Sequence, residues 1–228
     1  MVFAAASLTD LCAELGAAFD PAAVSFNFAG SNVLAHQILA APEAADLFLS
    51  ADRAWAQELV AKGLAAAEPS TVLSNGLVVV GWPRPESPID KPADLASIGF
   101  RHLALADPSA VPAGRYARSW LESQASGARS LWDCFEERVV PALDVRAALA
   151  LVESGPEVLG IVYRTDARQA RRARVLYEVP QDEQPAIAYV ALRLHPNDEA
   201  SLAQSFLEFL RSERARGICS AHGFVTVL

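Results

Sequence analysis

Short apolar runs alternate with amphipathic segments from the first residues of the chain. Val2–Ala6 is apolar, and Leu8, Leu11, Leu15 and Phe19 then recur at the spacing of one helix face. The same alternation continues to residue 62. The elements predicted after the first helix are a strand over Val24–Phe28, a helix from Ser31, a strand over Asp46–Ser50 and a helix over Arg53–Lys62. Strands that alternate with helices predict a parallel sheet covered by helices on both faces.

A second series of strands and helices follows the proline-rich segment Pro83–Pro92. Its predicted elements are a strand over Leu103–Ala106, a helix from Pro112, a helix over Val145–Glu153 and a strand over Leu159–Tyr163. Long apolar strands near 77–81 and 186–192 bracket this series. A chain that leaves one lobe and returns to it needs two such crossings. We therefore predict a two-lobed α/β protein with parallel or mixed sheets flanked by helices and a ligand cleft between the lobes. Lobe I comprises 1–78 and 190–228, lobe II comprises 79–189, and the hinge crossings lie near 77–81 and 186–192.

Composition and charge exclude several classes of protein. The chain has 228 residues, of which 52% are hydrophobic and 20% are charged, so it is not a disordered chain. No apolar stretch is long enough to span a membrane, and we expect no membrane insertion. The net charge of −8 argues against nucleic acid as a partner. The basic segment Arg164–Arg174 is interrupted by Asp166, and we interpret it as a solvated helix face. A site for an anion must therefore be built locally.

Recognisable catalytic and metal-binding motifs are absent from the sequence. The three cysteines have no C-x-x-C spacing, and the four histidines have no metal-ligand spacing. We expect Cys12, Cys134 and Cys219 to be buried or half-buried thiols, with one disulfide left open in an oxidising compartment. No nucleophile is accompanied by a recognisable base, so the sequence does not favour an enzyme.

Four predicted helices begin with small or hydroxyl residues just after a strand or turn. The segments are Ala6–Asp10, Ala29–Asn32, Val111–Gly114 and Leu143–Arg146. Helix N-termini carry N–H groups without intrahelical partners and a partial positive charge, and in open α/β sheets they gather at the carboxyl ends of the strands. Together they predict an anion site without Lys or Arg. Taken singly, each start has a structural explanation: Ser7 caps a helix with Asp10, and Tyr163 is a core residue.

Seven segments occur along the chain in the order AAASLTD, FAGSNVLAHQI, ADLFLSAD, LVVVGWP, DPSAVPAGRYA, LDVRAALALVESG and LGIVYRTDA. Together they resemble the periplasmic molybdate-binding proteins of bacterial ABC-type importers, over essentially the whole chain. The resemblance implies the type II periplasmic binding protein fold, with molybdate or tungstate as the ligand and no cofactor. It also implies a monomer in the periplasm that delivers the oxyanion to a membrane permease. No signal peptide is visible, so the location comes from the resemblance alone.

The same resemblance implies five ligand residues by motif. Ser7 and Ser31 would each give a hydroxyl and a backbone N–H, Ala113 and Val145 would each give a backbone N–H, and Tyr163 would give its phenol O–H. Four of them match the helix starts selected from the pattern, and the fifth, Tyr163, is a tyrosine at a strand end. Relatives commonly have serine at the position of Gly30, and we expect the site to survive this difference. Because the alanines before Ser7 are small, we expect them to admit the anion.

Three alternatives remain open at this stage. The first keeps the fold and replaces molybdate by sulfate, phosphate or another tetrahedral oxyanion. The second is an effector-sensing domain of a transcription regulator, which uses a similar two-lobed fold. The third is an enzyme that uses the cleft for catalysis. Fold alone does not choose among them, because one fold carries many functions.

Overall fold

The computed structural model describes residues 1–19, 24–65, 67–83, 89–195 and 202–227. The chain divides into two compact units: unit 1 comprises residues 1–75 and 187–228, and unit 2 comprises residues 76–186. The chain thus passes between the units at 75/76 and 186/187, whereas the predicted lobe boundaries lie at 78/79 and 189/190. The strands predicted to carry the crossings each lie wholly within one unit.

The described strands are β1 (Val2–Ala5), β2 (Phe26–Ala29), β3 (Leu47–Ser50), β4 (Ser70–Ser74), β5 (Leu77–Gly81), β6 (His102–Ala106), β7 (Ala125–Ser126), β8 (Arg129–Ser130), β9 (Val139–Ala142), β10 (Val158–Tyr163), β11 (Arg174–Glu178), β12 (Tyr189–Arg193) and β13 (Val225–Thr226). The described α-helices are α1 (Thr9–Phe19), α2 (Ser31–Ala40), α3 (Arg53–Ala61), α4 (Pro112–Ser123), α5 (Leu131–Phe135), α6 (Val145–Glu153), α7 (Arg164–Ala167), α8 (Leu202–Leu210) and α9 (Glu213–Ala221). Short 3₁₀ turns lie at Ala6–Leu8, Pro42–Ala44, Pro92–Ser97 and Glu136–Arg138. None of the described helices has the length and apolar character needed to cross a membrane.

Unit 1 is built on a six-stranded sheet in the order β13-β4-β12-β3-β1-β2. β1 is parallel to β2 and β3, whereas β12 runs antiparallel to β3 and β4. The apolar stripes of α2 and α3 are buried against this sheet, and Leu34, Ile38, Phe48 and Leu59 are fully buried in the resulting core. Burial of such side chains contributes about 1.5–3 kcal/mol each. The parallel βα alternation predicted for the first third of the chain is confirmed.

Unit 2 is built on a five-stranded sheet in the order β11-β5-β10-β6-β9. β6 is parallel to β9 and β10, and β5 runs antiparallel to β10 and β11. Trp120 of α4 and Val152 of α6 are fully buried in its core. The sheets of the two units are therefore mixed, as the predicted fold class allows.

One predicted element is wrong. The basic segment Arg164–Arg174 is not a continuous solvated helix face, because the helix α7 ends at Ala167 and Arg174 begins the edge strand β11. Two carboxylates explain the difference, those of Asp166 and Glu153. Asp166 is completely buried, so this face of α7 points inward. The Glu153 carboxylate accepts hydrogen bonds from the backbone N–H groups of residues 171–173, which fixes a turn there instead of a helix.

Candidate anion-binding site

The two predicted serines of unit 1 leave the same edge of the sheet. β1 and β2 are parallel and in register, so that Ala5 lies opposite Ala29 at their carboxyl ends. Ser7 follows Ala5 by two residues, and Ser31 follows Ala29 by two residues. Both serines are buried, at 3% and 1% exposure. The parallel register thus brings both predicted hydroxyl donors to the edge of the sheet where ligands of α/β proteins bind.

Ser7 lies within the 3₁₀ turn Ala6–Leu8, and its side chain does not cap the helix that follows. Its hydroxyl hydrogen-bonds the Tyr189 hydroxyl at 2.9 Å. Thr9 instead donates its hydroxyl to the Ala6 carbonyl at the junction with α1. The helix-capping explanation of Ser7 is therefore wrong, because its buried hydroxyl is bonded to Tyr189 instead.

Ser31 is the first residue of α2 and not its cap. Gly30 occupies the N-cap with a φ of −58°, an ordinary value that any residue adopts, and no side chain caps this end. The Ala51 N–H donates to the Ser31 Oγ at 3.0 Å. Because a serine hydroxyl has one proton and two lone pairs, this bond leaves the Ser31 O–H able to donate. The segment Gly30–Asn32 is thus a helix start in which Gly30, and not Ser31, is the N-cap.

The two predicted backbone donors of unit 2 lie in the first turns of α4 and α6. These helices follow the neighbouring parallel strands β6 and β9, whose last residues Ala106 and Ala142 lie opposite each other. Ala113 and Val145 are both buried. In α4 the Arg115 N–H donates to the Val111 carbonyl at 3.0 Å, so the N–H groups that precede Arg115 in this helix have no intrahelical partner. Each first turn therefore presents N–H groups at the carboxyl edge of the unit 2 sheet.

The start of α4 is held close to the sheet by a glycine. A Cβ on Gly114 would lie 1.9 Å from the carbonyl oxygen of Ala106, well inside van der Waals contact. A larger residue would push the first turn of α4, and with it the Ala113 N–H, away from the strand end. The glycine of the VPAG segment therefore has a packing role, which the sequence alone did not reveal.

Tyr163 is the last residue of β10 and is 1% exposed. β10 is parallel to β6, with Gly160 opposite Ala104, so the end of β10 reaches the same edge as Ala106. Unit 2 thus brings all three of its predicted donors, Ala113, Val145 and Tyr163, to one edge of its sheet.

The positive charge next to Val145 in sequence is neutralised. Arg146 follows Val145, and its Nε forms an ion pair with the carboxylate of Asp166, which is completely buried. Asp144 does not face Arg146, because its carboxylate caps α6 by accepting the Ala147 N–H at 2.9 Å. The predicted donor set therefore consists of uncharged groups, and the cation that follows Val145 is already paired. Asp166 was read from the sequence only as a break in a basic segment.

The cysteines of unit 1 line a separate apolar cavity. Leu11, Cys12, Val190 and Cys219 are among the residues of its wall. All three cysteines of the chain are free thiols, two buried and Cys134 partly exposed. Burial raises the pKa of the Cys12 thiol far above its usual range and raises that of Cys219 to about 11. Neutral buried thiols are poor nucleophiles and metal ligands. Across the described part of the chain, no three His, Cys, Asp or Glu side chains form a group that could hold a metal ion.

Comparison with known proteins gives a family and several relatives. A family model described as bacterial extracellular solute-binding protein matches residues 1–225. The molybdate-binding protein ModA of Escherichia coli (strain K12) is 36% identical over 234 residues, covering 98% of this chain and 87% of the relative. The solved substrate-binding domain of a putative molybdenum ABC transporter from Clostridium difficile is 26% identical, with a TM-score of 0.74 and coverage of 100% and 98% of the two chains.

A further solved structure has a similar fold, but its name gives sulfate as the ligand. The sulfate-binding protein SubI of Mycobacterium tuberculosis H37Rv has a TM-score of 0.82, covers 99% of this chain and 86% of its own, and is 15% identical. At this identity the likeness shows the fold alone. The predicted two-lobed α/β class is thus confirmed.

Proposed function

Because the chain belongs to the bacterial extracellular solute-binding protein family, we propose that it is the molybdate receptor of an ABC importer and that tungstate is a second ligand. The observation that carries the proposal is the placement of the five predicted donors, all of them uncharged, at the carboxyl edges of the two sheets. The 36% identity to a molybdate-binding protein over nearly the whole chain supports the choice of ligand.

In this proposal the donors bind the four oxygens of the anion. Ser7 and Ser31 supply hydroxyl and backbone donors, Ala113 and Val145 supply backbone N–H groups, and Tyr163 supplies its phenol. A dianion is costly to bury without hydrogen bonds, and bonds to an oxyanion are short and strong. An uncharged donor set does not attract every anion equally, so selectivity arises from the size of the cavity and from its donors. An oxyanion that carries a proton directs it at a donor and is rejected.

We propose further that the ligand holds the two lobes closed. A ligand that binds donors of both units would favour a closed state over an open one. The permease of the importer would read the closed state. The proposal also includes a periplasmic location, a monomeric state and a binding role without catalysis.

Sulfate is the second candidate ligand, because it is a tetrahedral dianion with the same kind of oxygen acceptors as molybdate. Molybdate is larger than sulfate, so a cavity sized for molybdate leaves sulfate with stretched hydrogen bonds. The regulator and enzyme alternatives have no comparable support, because the family match and the donor set both favour binding and transport.

A thermal-shift series on protein stripped of bound ion tests the proposal. Molybdate, tungstate, sulfate and phosphate are compared at equal concentration, with sodium chloride of matched ionic strength as the control. A ligand at a hundred times its Kd stabilises the folded state by about 2.7 kcal/mol, which is roughly 5–10 °C for a chain of this size. We expect shifts with molybdate and tungstate. A shift with sulfate or phosphate instead would keep the fold and overturn the ligand.

A further inference from the structure

We propose that Tyr189 positions the Ser7 hydroxyl for the anion, and that Asn75 sets the direction of the hydrogen bond between them. The inference rests on the function proposed above, in which Ser7 binds the ligand, and adds two residues that touch Ser7 or its partner and not the ligand. All the groups concerned belong to unit 1.

The three side chains form a line of hydrogen bonds in the interior of unit 1. The Asn75 amide nitrogen lies 3.4 Å from the Tyr189 hydroxyl oxygen, and that oxygen lies 2.9 Å from the Ser7 Oγ. Asn75 is 5% exposed, Tyr189 is fully buried and Ser7 is 3% exposed. Each comes from a different part of the sheet: Asn75 follows β4, Tyr189 begins β12, and Ser7 follows β1.

The chemistry of the Asn75 amide favours one direction for the protons. The Asn75 amide nitrogen can only donate, so the Tyr189 oxygen accepts from it. A phenol that accepts on its oxygen still has one proton, and inside the protein that proton needs an acceptor. The Ser7 Oγ, at 2.9 Å, is placed to accept that proton. In this proposal the Tyr189 O–H donates to Ser7, and the hydrogen bonds run from Asn75 through Tyr189 to Ser7.

This direction determines what Ser7 offers to a ligand. A serine that accepts from tyrosine keeps its own proton for another partner. A serine that donates to tyrosine instead directs lone pairs at the ligand and repels an oxyanion. Hydrogen bonds in such a chain also polarise one another, so the Ser7 proton becomes a better donor. Tyr189 thus converts a rotating hydroxyl into a fixed donor before the anion arrives.

The ring of Tyr189 is anchored independently of its hydroxyl. It packs edge-to-face on Phe224, with ring centroids 5.5 Å apart and planes at 90°. Replacement by phenylalanine keeps this packing and removes only the hydroxyl. Tyr189→Phe is therefore a test of the hydrogen bond and not of the core.

The experiment is a double-mutant cycle on molybdate affinity, measured by calorimetry with Tyr189→Phe, Ser7→Ala and the double variant. We expect Tyr189→Phe to weaken binding about tenfold and Ser7→Ala to weaken it at least tenfold. In the Ser7→Ala background, Tyr189→Phe should change the Kd less than twofold, because its target is gone. Tyr177→Phe, on β11 of unit 2, is the matched control and should leave the Kd unchanged.

A purely structural role of Tyr189 would give a different pattern. An equal loss in both backgrounds, or no loss in either, would overturn the inference. Wild-type protein that binds sulfate and not molybdate would overturn the proposed ligand alone, and the same cycle run with sulfate would still decide the role of Tyr189. Wild-type protein that binds no oxyanion would overturn both.

A measurement on the unliganded wild-type protein does not depend on the folding of any variant. The deuterium isotope effect on the ¹³Cζ shift of selectively labelled tyrosine reports how fast each hydroxyl proton exchanges. We expect slow exchange for Tyr189, since its proton is buried and bonded to Ser7. Rapid exchange, like that of an exposed phenol, would contradict the directed hydrogen bond.

Discussion

The two units present their proposed donors by different means. In unit 1 the donors include two side-chain hydroxyls, and each is oriented by an uncharged partner: Tyr189 for Ser7 and the Ala51 N–H for Ser31. In unit 2 two of the three donors are backbone N–H groups in the first turns of α4 and α6. Their position depends on how the helix starts are packed and on the charged groups around them.

Because of this difference, we expect substitutions at the unit 1 donors to change ligand affinity without changing stability, and substitutions around the unit 2 donors to change both. A hydroxyl can be removed by substitution without disturbing the backbone that carries it. A backbone N–H cannot be removed by substitution, so only its support can be changed, and that support also stabilises the unit. We therefore expect substitutions around the unit 2 donors to reduce both the free energy of unfolding and ligand affinity.

The largest effect is expected for Gly114→Ala. The new Cβ would lie 1.9 Å from the Ala106 carbonyl oxygen, so α4 has to move away from β6. We expect a loss of more than about 4 kcal/mol in the free energy of unfolding, the range of severe overpacking and backbone strain. Urea unfolding followed by circular dichroism measures it. Any variant that still folds should bind molybdate weakly, because the Ala113 N–H is displaced.

Gly217→Ala is the matched control in unit 1. Gly217 is an exposed residue in the middle of α9, and no atom lies within 4 Å of the position that a Cβ would take. Alanine in a helix interior is favoured over glycine by about 1 kcal/mol, so this variant should be stabilised. If Gly114→Ala were as harmless as Gly217→Ala, the close packing of α4 on β6 would not hold in solution.

The next effect in size is expected for Asp166→Asn. Asp166 is completely buried and paired with Arg146, whose side chain is 26% exposed. Removing one partner of a buried ion pair leaves a charge without compensation and costs about 3 kcal/mol. Urea unfolding should show this loss in unit 2.

Glu122→Gln is the control, since Glu122 and Arg118 form an exposed pair on α4 at 2.7 Å. This substitution should cost less than about 1 kcal/mol. Equal effects of the two substitutions would rule out a structural role for the buried pair.

The helix starts and strand ends were predictable because their signals are local. Pro112 at the start of α4, the Asp144 cap of α6 and the apolar run of β10 each lie within a few residues of the feature they determine. Parallel β-α alternation then places the starts at one edge of a sheet. The positions of Ser7, Ser31, Ala113, Val145 and Tyr163 at these edges follow from such signals.

What supports the donors was not predictable, because the partners are far apart in sequence. Tyr189 is 182 residues from Ser7, and no periodicity relates the two. Asp166 looked like an interruption of a basic segment, since only the fold brings it to Arg146. The edge strand β11 was missed for a related reason: it is half exposed, so it lacks the continuous apolar run of a buried strand.

A smaller effect, on affinity alone, is expected for Tyr163→Phe. Tyr163 is the one side-chain donor proposed in unit 2, so its removal should behave like the loss of a hydroxyl in unit 1. One hydrogen bond to a charged ligand contributes about 2 kcal/mol, which is roughly a thirtyfold increase in the molybdate Kd. Calorimetry measures this, and the melting temperature of the unliganded protein should change little. Unchanged affinity would remove Tyr163 from the site.

The smallest effect is expected for Glu153→Gln at the other end of α6 from Val145. Desolvation opposes ionisation of Glu153, but hydrogen bonds from the backbone N–H groups of residues 171–173 prevail and hold its pKa below the usual range. Because the folded-state pKa is lowered, the stabilisation is complete above the unfolded-state pKa of about 4.3 and is lost as pH falls through the folded-state value. Glutamine should therefore cost about 1 kcal/mol at pH 7, and the difference from wild type should shrink below pH 4. Urea unfolding at several pH values measures this.

Molybdate affinity of Glu153→Gln at pH 7 should stay within twofold of wild type, because Glu153 supports a turn and not a donor. A larger loss would mean that the coupling of affinity to stability in unit 2 extends along the whole of α6.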